Sequence, residues 1–232
     1  MEHEHSILYA PVNALWHRLG FAWAIPDHVI MALLVLVISC VVFPLAARRI
    51  SKDNPGPLQH TLELLVGGLK DLLRDIIGHG GDRFLYIIGA FAVFIFVSNI
   101  FGLFFFLQPP TANINTTFAL SITAFLYYNW LGLRAHGLGY LKHFMGPVWW
   151  LAPLMFVIEM IGNFARILSL GMRLFGNIFG EHTATGIFMG LIPLVVPWPM
   201  MALGIFGAVL QTFVFIMLMM VYISGAVATE EH

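Results

Sequence analysis

The sequence predicts an all-α integral membrane protein with five transmembrane helices, of which the last two are long and tilted, and one amphipathic helix at the membrane interface. Of its 232 residues, 59% are hydrophobic and only 10% are charged, whereas soluble domains carry about a quarter charged residues. The mean hydropathy is +0.87. No internal repeat is visible, so residues 1–232 are predicted to form a single membrane domain.

Charge and cysteine usage exclude several classes of protein. The formal net charge is −1, so no basic face for nucleic acid is expected. The single cysteine, Cys40, lies in an apolar run, which excludes a disulfide framework and a cysteine-based metal site. No metal and no cofactor are expected. The acidic N-terminus is unlike a signal peptide, whose first residues are basic, so we expect it to be retained.

The first third of the chain is predicted to contain an outer segment, a span and an interfacial helix. Residues 1–28 are the outer N-terminal segment. Residues 29–47 contain no charge, and their number is close to the roughly 20 that a helix needs to cross a bilayer. Over residues 57–77, apolar residues recur at three- and four-residue steps with charges on the opposite side. We expect this helix to lie in the membrane interface; the alternative is an ordinary helix packed on its neighbours.

Two further spans follow. Residues 84–107 contain no charge after Arg83, and they are predicted to form the second span. Residues 116–135 are predicted to form a third and more polar span.

The last two spans are predicted to be unusually long. Residues 147–190 form the fourth, which Glu159 interrupts, and residues 200–228 form the fifth. The stretch from 183 to 229 has no Asp, Glu, Lys, Arg or His and is too long for one crossing. Prolines 193, 197 and 199 are predicted to mark the turn between the two helices.

The distribution of basic residues predicts the sidedness. Eight of them lie in the loops that follow the first and third spans: Arg48, Arg49, Lys52, Lys70, Arg74, Arg83, Arg134 and Lys142. Because positive charge marks the cytoplasmic side, the N-terminus is predicted to lie outside and the C-terminus in the cytoplasm.

The fourth span carries a line of polar residues, which we call the polar line: Glu159, Arg166, Arg173, Asn177 and Glu181. At about 100° per residue they share an arc of roughly 80°. They extend over roughly 33 Å of an ideal helix, which is close to the roughly 30 Å thickness of the hydrocarbon core. One face of one helix is therefore predicted to carry polarity across the membrane.

A stripe of small residues lies beside the polar line and consists of Gly162, Ser169, Gly176 and Gly180. Small residues let helix backbones approach closely in lipid, so we expect another helix to pack there. His182 points well away from the polar line, at about 140° from Glu159.

Arg173 is predicted to lack a counter-ion within its own helix. A charge at the bilayer centre costs about 2.5–3.5 kcal/mol on insertion scales, and arginine cannot avoid this cost by losing its proton. Glu181 is about 12 Å away along the axis, too far for a direct pair, and Asn177 can only donate or accept hydrogen bonds. Arg173 therefore needs an anion from elsewhere or a water-filled cavity. The alternative is that Arg173 and Glu159 are helix-end residues whose side chains reach the head groups, an interpretation that fits Arg166 better than Arg173.

The segment Ser169-Leu170-Gly171-Met172-Arg173-Leu174-Phe175-Gly176-Asn177 resembles the signature of ATP synthase subunit a. Four other matches to that family follow the same order, and the likeness covers most of the chain: Asn99-Ile100-Phe101-Gly102-Leu103, the run from Pro110 to Thr117, Gln211 in the last helix, and the terminal Glu230-Glu231-His232.

The resemblance implies a proton-conducting stator subunit of an F-type rotary ATP synthase in the cell inner membrane. Arg173 would face the carboxylate of the rotating c-ring and separate two aqueous half-channels. Glu159 would line the cytoplasmic half-channel, while Asn177, Glu181, His182 and Gln211 would line the outer one or hold Arg173 in place. The implied partners are the c-ring, the b subunit of the stator stalk, the rest of the F1Fo complex and the lipid bilayer. ATP chemistry would lie on partner subunits, so the chain itself is predicted not to be an enzyme.

Two positions depart from the family pattern. Some members carry a histidine or an acid seven residues before the glutamine of the last helix, where this chain has Gly204. We interpret Glu181-His182 as a relocation of that proton-relay chemistry, and the sequence leaves open which of the two residues acts. Asn113 stands where many members have aspartate, which removes an acid from the outer vestibule.

The main alternative is a secondary ion transporter that moves its solute past Arg173. Such folds usually contain paired repeats with interrupted helices, and none is visible here. A structural scaffold without conduction does not explain a charged line in the membrane. The sequence does not distinguish H⁺ from Na⁺ as the coupling ion, nor synthesis from hydrolysis as the normal direction.

Overall fold

The computed structural model describes residues 6–18, 20, 22–48, 56–78, 80–104, 107–137, 139–140, 151–191 and 197–227. Within those ranges the chain forms helices and contains no strand. Seven longer α-helices follow one another in the described ranges: α1 (Tyr9–Arg18), α2 (Asp27–Ala47), α3 (Pro57–Ile77), α4 (Leu85–Phe101), α5 (Ile114–His136), α6 (Ala152–Leu191) and α7 (Pro197–Val227). Two 3₁₀ turns, Gly81–Phe84 and Pro110–Ala112, precede α4 and α5. The chain is therefore all-helical wherever it is described.

Four segments in the described part of the chain are helical, long and apolar enough to cross a membrane: Asp27–Leu45, Gly81–Phe101, Pro153–Phe188 and Trp198–Val227. The sequence predicted five spans. The helix over the predicted third span, α5, has 23 residues and is therefore about 35 Å long. The share of polar side chains is larger in this helix than in any of those four segments, so only its length supports a crossing.

The core lies between α4, α5, α6 and α7, which pack against one another. Fully buried side chains come from all four helices, among them Ile88, Tyr128, Leu174 and Phe215. A second, smaller cluster of Met31, Val35 and Phe101 attaches α2 to α4. Most of the remaining surface of α2 and α6 is exposed and apolar, as expected for helices that face lipid.

Helix α3 begins at Pro57 and ends at Ile77, the bounds that periodicity predicted for the interfacial helix. The side chains in its second half, Leu69, Leu72 and Leu73, pack into the main core. The Ser224 hydroxyl of α7 donates a hydrogen bond of 2.9 Å to the Ile76 carbonyl. Leu64 and Leu65, in the first half, are exposed. One half of the helix is thus packed on its neighbours, and the other half leaves an apolar face uncovered.

The helix at the second predicted span, 84–107, ends before the last residues of that span. Helix α4 ends at Phe101, and Gly102 lies where any side chain would meet Pro109, whose Cγ would be 3.3 Å from an added methyl group. The chain turns back there, so that the buried Thr111 hydroxyl donates a hydrogen bond of 2.8 Å to Asn99 Oδ1. Hydropathy does not detect this turn, because residues 102–107 are as apolar as the helix before them.

The segment predicted to lie outside the membrane contains a helix that the sequence did not predict. Helix α1 is attached to the start of α2 by Ser6, whose backbone N–H donates to Asp27 Oδ2 at 2.7 Å and whose hydroxyl donates to Asp27 Oδ1. Asn13 accepts from the Ile25 N–H at 2.7 Å and donates to the Ile25 carbonyl at 3.2 Å. These pairs satisfy backbone groups around the turn before α2.

Helix α6 is a single helix of 40 residues, about 60 Å long. The predicted span began at residue 147, and residues 147–150 lie outside the described ranges. Helix α7 begins at Pro197, so Pro197 and Pro199 occupy its first turn, where the missing N–H costs no hydrogen bond. Pro193 and residue 228 lie outside the described ranges.

Candidate functional site

The two long helices contact each other in an antiparallel arrangement with a constant register. A methyl group built at Gly204 of α7 would overlap Oε1 of Glu181 on α6. One built at Gly207 would lie 3.1 Å from Glu181 Oε2 and 3.6 Å from Asn177 Nδ2. Residue numbers therefore decrease along α6 in the direction in which they increase along α7. Near the other end, Asn163 and Tyr222 line the same cavity, in the same register.

Glu181 reaches across to α7 because α7 has no side chain there. Its carboxylate occupies the space above Gly204, and Leu103 Cδ2 would be only 2.7 Å from a methyl group at that glycine. The position where some relatives of the resembled family carry a histidine or an acid is thus filled from α6. The interpretation of Glu181 as a relocated proton relay stays a prediction.

A cavity of about 470 Å³ opens beside Glu181, and we call it the Glu181 cavity. Asn177 and Gly180 line it from α6, and Gly207 lines it from α7; the other lining residues are Gly176, Glu181, Ala184, Met200, Leu203, Phe206 and Leu210. His182 is not among the lining residues. Of the two adjacent candidates, Glu181 is therefore the one that contacts this space.

A second cavity, of about 300 Å³, lies toward the other end of the same two helices, and we call it the Glu159 cavity. Three tyrosines surround it: Tyr128 from α5, Tyr140 from the helical residues 139–140 that follow α5, and Tyr222 from α7. Glu159, Asn163 and Arg166 line it from α6. The cavity is therefore more polar than the Glu181 cavity.

Arg166 does not extend away from the protein. Its Nη2 lies 3.7 Å from Glu159 Oε1, and its Nη1 donates a long hydrogen bond of 3.5 Å to Asn163 Oδ1. The guanidinium lies 5.4 Å from the centre of the Tyr222 ring, within cation–π range. The side chain that was considered compatible with snorkelling is thus held at the wall of the Glu159 cavity.

Arg173 lies between the two cavities and lines neither of them. It is exposed, and its one described hydrogen bond is from Nη2 to the Ser169 hydroxyl, at 3.3 Å. Within the described part of the chain, Arg173 forms no ion pair. The guanidinium therefore keeps most of its donors available on an open face of α6.

The stripe of small residues is uncovered. No described atom outside the local helix backbone would lie within 4 Å of a methyl group at Gly162, Gly176 or Gly180, and Ser169 is exposed. The helix that was expected to pack against this stripe is therefore not supplied by the described ranges of this chain. Gly171, on another face of α6, differs: a methyl group there would lie 2.6 Å from the Ser121 hydroxyl of α5.

Gln211 is buried on α7, one turn beyond Gly207. The register of the two helices places it level with Arg173 and Leu174 of α6. The structure thus brings Asn177 and Glu181 together with Gly204 and Gly207, and brings Glu159 together with Arg166. It separates these two groups by the length of helix that carries Arg173.

Sequence reasoning missed four polar residues at the Glu159 cavity, namely Tyr128, Tyr140, Asn163 and Tyr222. Asn163 could have been found, because it lies four residues after Glu159 and hence about 40° from it, within the arc of the polar line. The tyrosines lie on other helices, and their proximity depends on packing that the spacing along one helix does not give.

Comparison with known proteins identifies similar chains over nearly the whole length. The family model described as ATP synthase A chain matches residues 29–224. ATP synthase subunit a of a Geobacter species is 44% identical over 212 residues, which cover 91% of this chain and 92% of that protein. ATP synthase subunit a of Trichlorobacter lovleyi is 43% identical over 230 residues, covering 98% and 99%. ATP synthase subunit a 2 of Syntrophotalea carbinolica is 46% identical over 206 residues, covering 89% and 87%.

Proposed function

The chain belongs to the ATP synthase A chain family, and from that premise we propose that it is the proton-conducting stator subunit of a rotary F-type ATP synthase. Membership assigns it to ATP synthesis and proton transport as a multi-pass membrane protein of the Fo sector. The proposal adds two offset half-channels, and it assigns to Arg173 the role of separating them. Catalysis would belong to the F1 partner subunits.

The observation that carries the proposal is the position of Arg173. Its guanidinium lies on an open face of α6 without an ion pair in the described chain, and one cavity lies on either side of it along the helix. An arginine in a membrane requires an anion or water. A carboxylate of the rotating c-ring would supply that anion.

The uncovered stripe of Gly162, Ser169, Gly176 and Gly180 supports the same partner. Small residues in a membrane helix permit close backbone approach, and this stripe lies on the same helix as Arg173. We propose that the ring helices pass along it. Each ring carboxylate would then approach Arg173 in turn.

The Glu181 cavity would form the end of the outer half-channel and the Glu159 cavity the end of the cytoplasmic one. A proton would pass from Glu181 to a ring carboxylate, travel with the ring, and leave through the Glu159 cavity. Arg173 would attract the deprotonated carboxylate between the two cavities and block direct passage of a proton. Gln211, level with Arg173 on α7, would help to hold the guanidinium in place.

The length of α6 changes the estimate, made from the sequence, of the membrane depth over which the polar line extends. The apolar segment of α6 has 36 residues and is about 54 Å long, so it fits a core of about 30 Å only when strongly tilted. The 33 Å between Glu159 and Glu181 along the helix then corresponds to roughly 18 Å of depth. Each half-channel would therefore have to bring water part of the way into the membrane.

The same proposal gives the topology and the partners. Five crossings, with α5 as the third, put the N-terminus outside and the C-terminus in the cytoplasm of a cell inner membrane. Helix α3 would lie at the cytoplasmic interface with its exposed leucines in the head-group layer. The b subunit of the stator stalk and the rest of the F1Fo complex would hold the chain stationary against the ring.

Arg173→Ala tests the proposal. ATP-driven proton pumping in inverted membrane vesicles is expected to be lost, while the amount of subunit in the membrane stays normal. Arg134→Ala is the matched control, because Arg134 is an exposed arginine at the end of α5 that stacks on Trp130. Pumping at the normal rate in Arg173→Ala would contradict the proposed function.

A further inference from the structure

A hydrogen-bonded network at the Glu159 cavity connects three helices. The Tyr128 hydroxyl of α5 donates to Asn163 Oδ1 at 3.0 Å, and Arg166 Nη1 donates to the same oxygen at 3.5 Å. Arg166 Nη2 lies 3.7 Å from Glu159, and the guanidinium lies over the Tyr222 ring of α7. A single amide oxygen thus receives two donors, one from a neighbouring helix and one from the charged pair.

The buried end of this network determines the geometry of the exposed end. Asn163 is 4% exposed and Tyr128 is 2% exposed, whereas the side chains of Arg166 and Glu159 are 40% and 39% exposed. Half-exposed ion pairs hold a single geometry only weakly, because two long side chains must be ordered. A buried acceptor that fixes the arginine lowers that ordering requirement.

We propose that Asn163 is a positioning residue of the proton path, which holds Arg166 against Glu159 at the wall of the Glu159 cavity. This inference rests on the proposed function. Its consequence is that the cavity has a charge-balanced wall, so that a departing proton passes along water and tyrosine hydroxyls and is not retained by a lone carboxylate. The groups that face Glu159 across the cavity are Arg166 on its own helix, Tyr128 and Tyr140 on the α5 side, and Tyr222 on α7.

A purely structural role for Asn163, as a link between α5 and α6, makes a different prediction. Tyr128→Phe removes the hydrogen bond to Asn163 and the interaction of the Tyr128 hydroxyl with Arg166, but it leaves Asn163 Oδ1 available to Arg166. Asn163→Leu removes both hydrogen bonds at similar volume. A structural link would make the two variants similar, whereas a positioning role makes Asn163→Leu the more severe.

The experiment measures ATP-driven proton pumping by the whole complex in inverted membrane vesicles, normalised to the amount of subunit in the membrane. We expect Asn163→Leu to lower the initial rate by at least about threefold and Tyr128→Phe to lower it by much less. Arg166→Gln should reproduce the loss, and the double variant Asn163→Leu/Arg166→Gln should be no slower than the slower single variant. Non-additivity of this kind is the signature of two residues that act through one contact.

Three results would overturn the inference: equal losses in Asn163→Leu and Tyr128→Phe, normal pumping in Arg166→Gln, or losses that multiply in the double variant. If Asn163→Leu does not accumulate in the membrane, Asn163→Ala takes its place in the same comparisons. Failure of the proposed function is distinguishable, because it would appear as normal pumping in Arg173→Ala whatever the Asn163 variants do.

Discussion

Gly204→Ala is the substitution whose effect the structure defines most sharply. The added methyl group would overlap Oε1 of Glu181, lie 3.2 Å from its Cδ and lie 2.7 Å from Leu103 Cδ2. The carboxylate must then leave the space above α7, and it cannot do so without changing its position in the Glu181 cavity. We expect slower ATP-driven proton pumping and lower stability.

The magnitude follows from comparison with Gly186→Ala on α6, where a methyl group has nothing within 4 Å. Both variants gain the helix propensity of alanine, about 1 kcal/mol at most, so the gain cancels between them. The remaining difference is the cost of overpacking, about 1 kcal/mol at the low end of the usual range, because the overlapping atoms are the ends of two flexible side chains, Glu181 and Leu103. The temperature at which half of the pumping activity is lost in membrane vesicles should therefore be lower for Gly204→Ala than for Gly186→Ala.

A second substitution tests the cause. Glu181→Ala removes the overlapping oxygens, so in that background Gly204→Ala should lose most of its effect on stability and leave only the contact with Leu103. If Gly204→Ala is as stable and as active as Gly186→Ala, Glu181 does not occupy the space above Gly204. The assignment of the relocated carboxylate would then be wrong.

Two further substitutions on α6 give separate outcomes. Gly171→Ala should destabilise the subunit by about 1–3 kcal/mol, because the methyl group would lie 2.6 Å from the buried Ser121 hydroxyl. The loss is measured as thermal inactivation in comparison with Gly186→Ala. Equal midpoints of inactivation in the two variants would contradict the close approach of α5 and α6. Glu181→Gln should slow proton pumping without changing stability. His182→Gln should slow pumping less, because His182 does not line the Glu181 cavity. Slower pumping in His182→Gln than in Glu181→Gln would assign the outer relay to His182.

The sequence predicted the bounds of a helix best where a strong periodicity or a long apolar run was enough to define them. The helix expected over 57–77 runs from Pro57 to Ile77 in the structure, because its apolar face and flanking Pro and Gly define it locally. The end of α4 at Phe101 was not predicted, since the turn after it depends on Pro109 packing at Gly102 and on the Thr111–Asn99 hydrogen bond. Neither contact changes hydropathy.

Some residues of the site could also be predicted from local sequence alone. A polar line on one helix depends only on helical geometry, so Glu159, Arg173 and Glu181 could be selected from their spacing. The partners on other helices could not be selected, because the contacts of Tyr128 and Tyr222 with the Glu159 cavity depend on how α5 and α7 pack on α6. The sequence also gave no indication that Arg166 pairs with Glu159, since residues seven apart are two turns away and meet only when their side chains extend toward each other.

The central claim is that the open face of α6 around Arg173 meets the c-ring. Its most direct test is disulfide crosslinking in a Cys40→Ala background, with one cysteine introduced in α6 and one in the ring helix beside the ring carboxylate. Crosslinks are expected for Ser169→Cys and Gly176→Cys, which lie on the uncovered stripe, and not for Leu174→Cys, which is fully buried against the other helices. Crosslinking through residue 174, with none through 169 or 176, would contradict the claim.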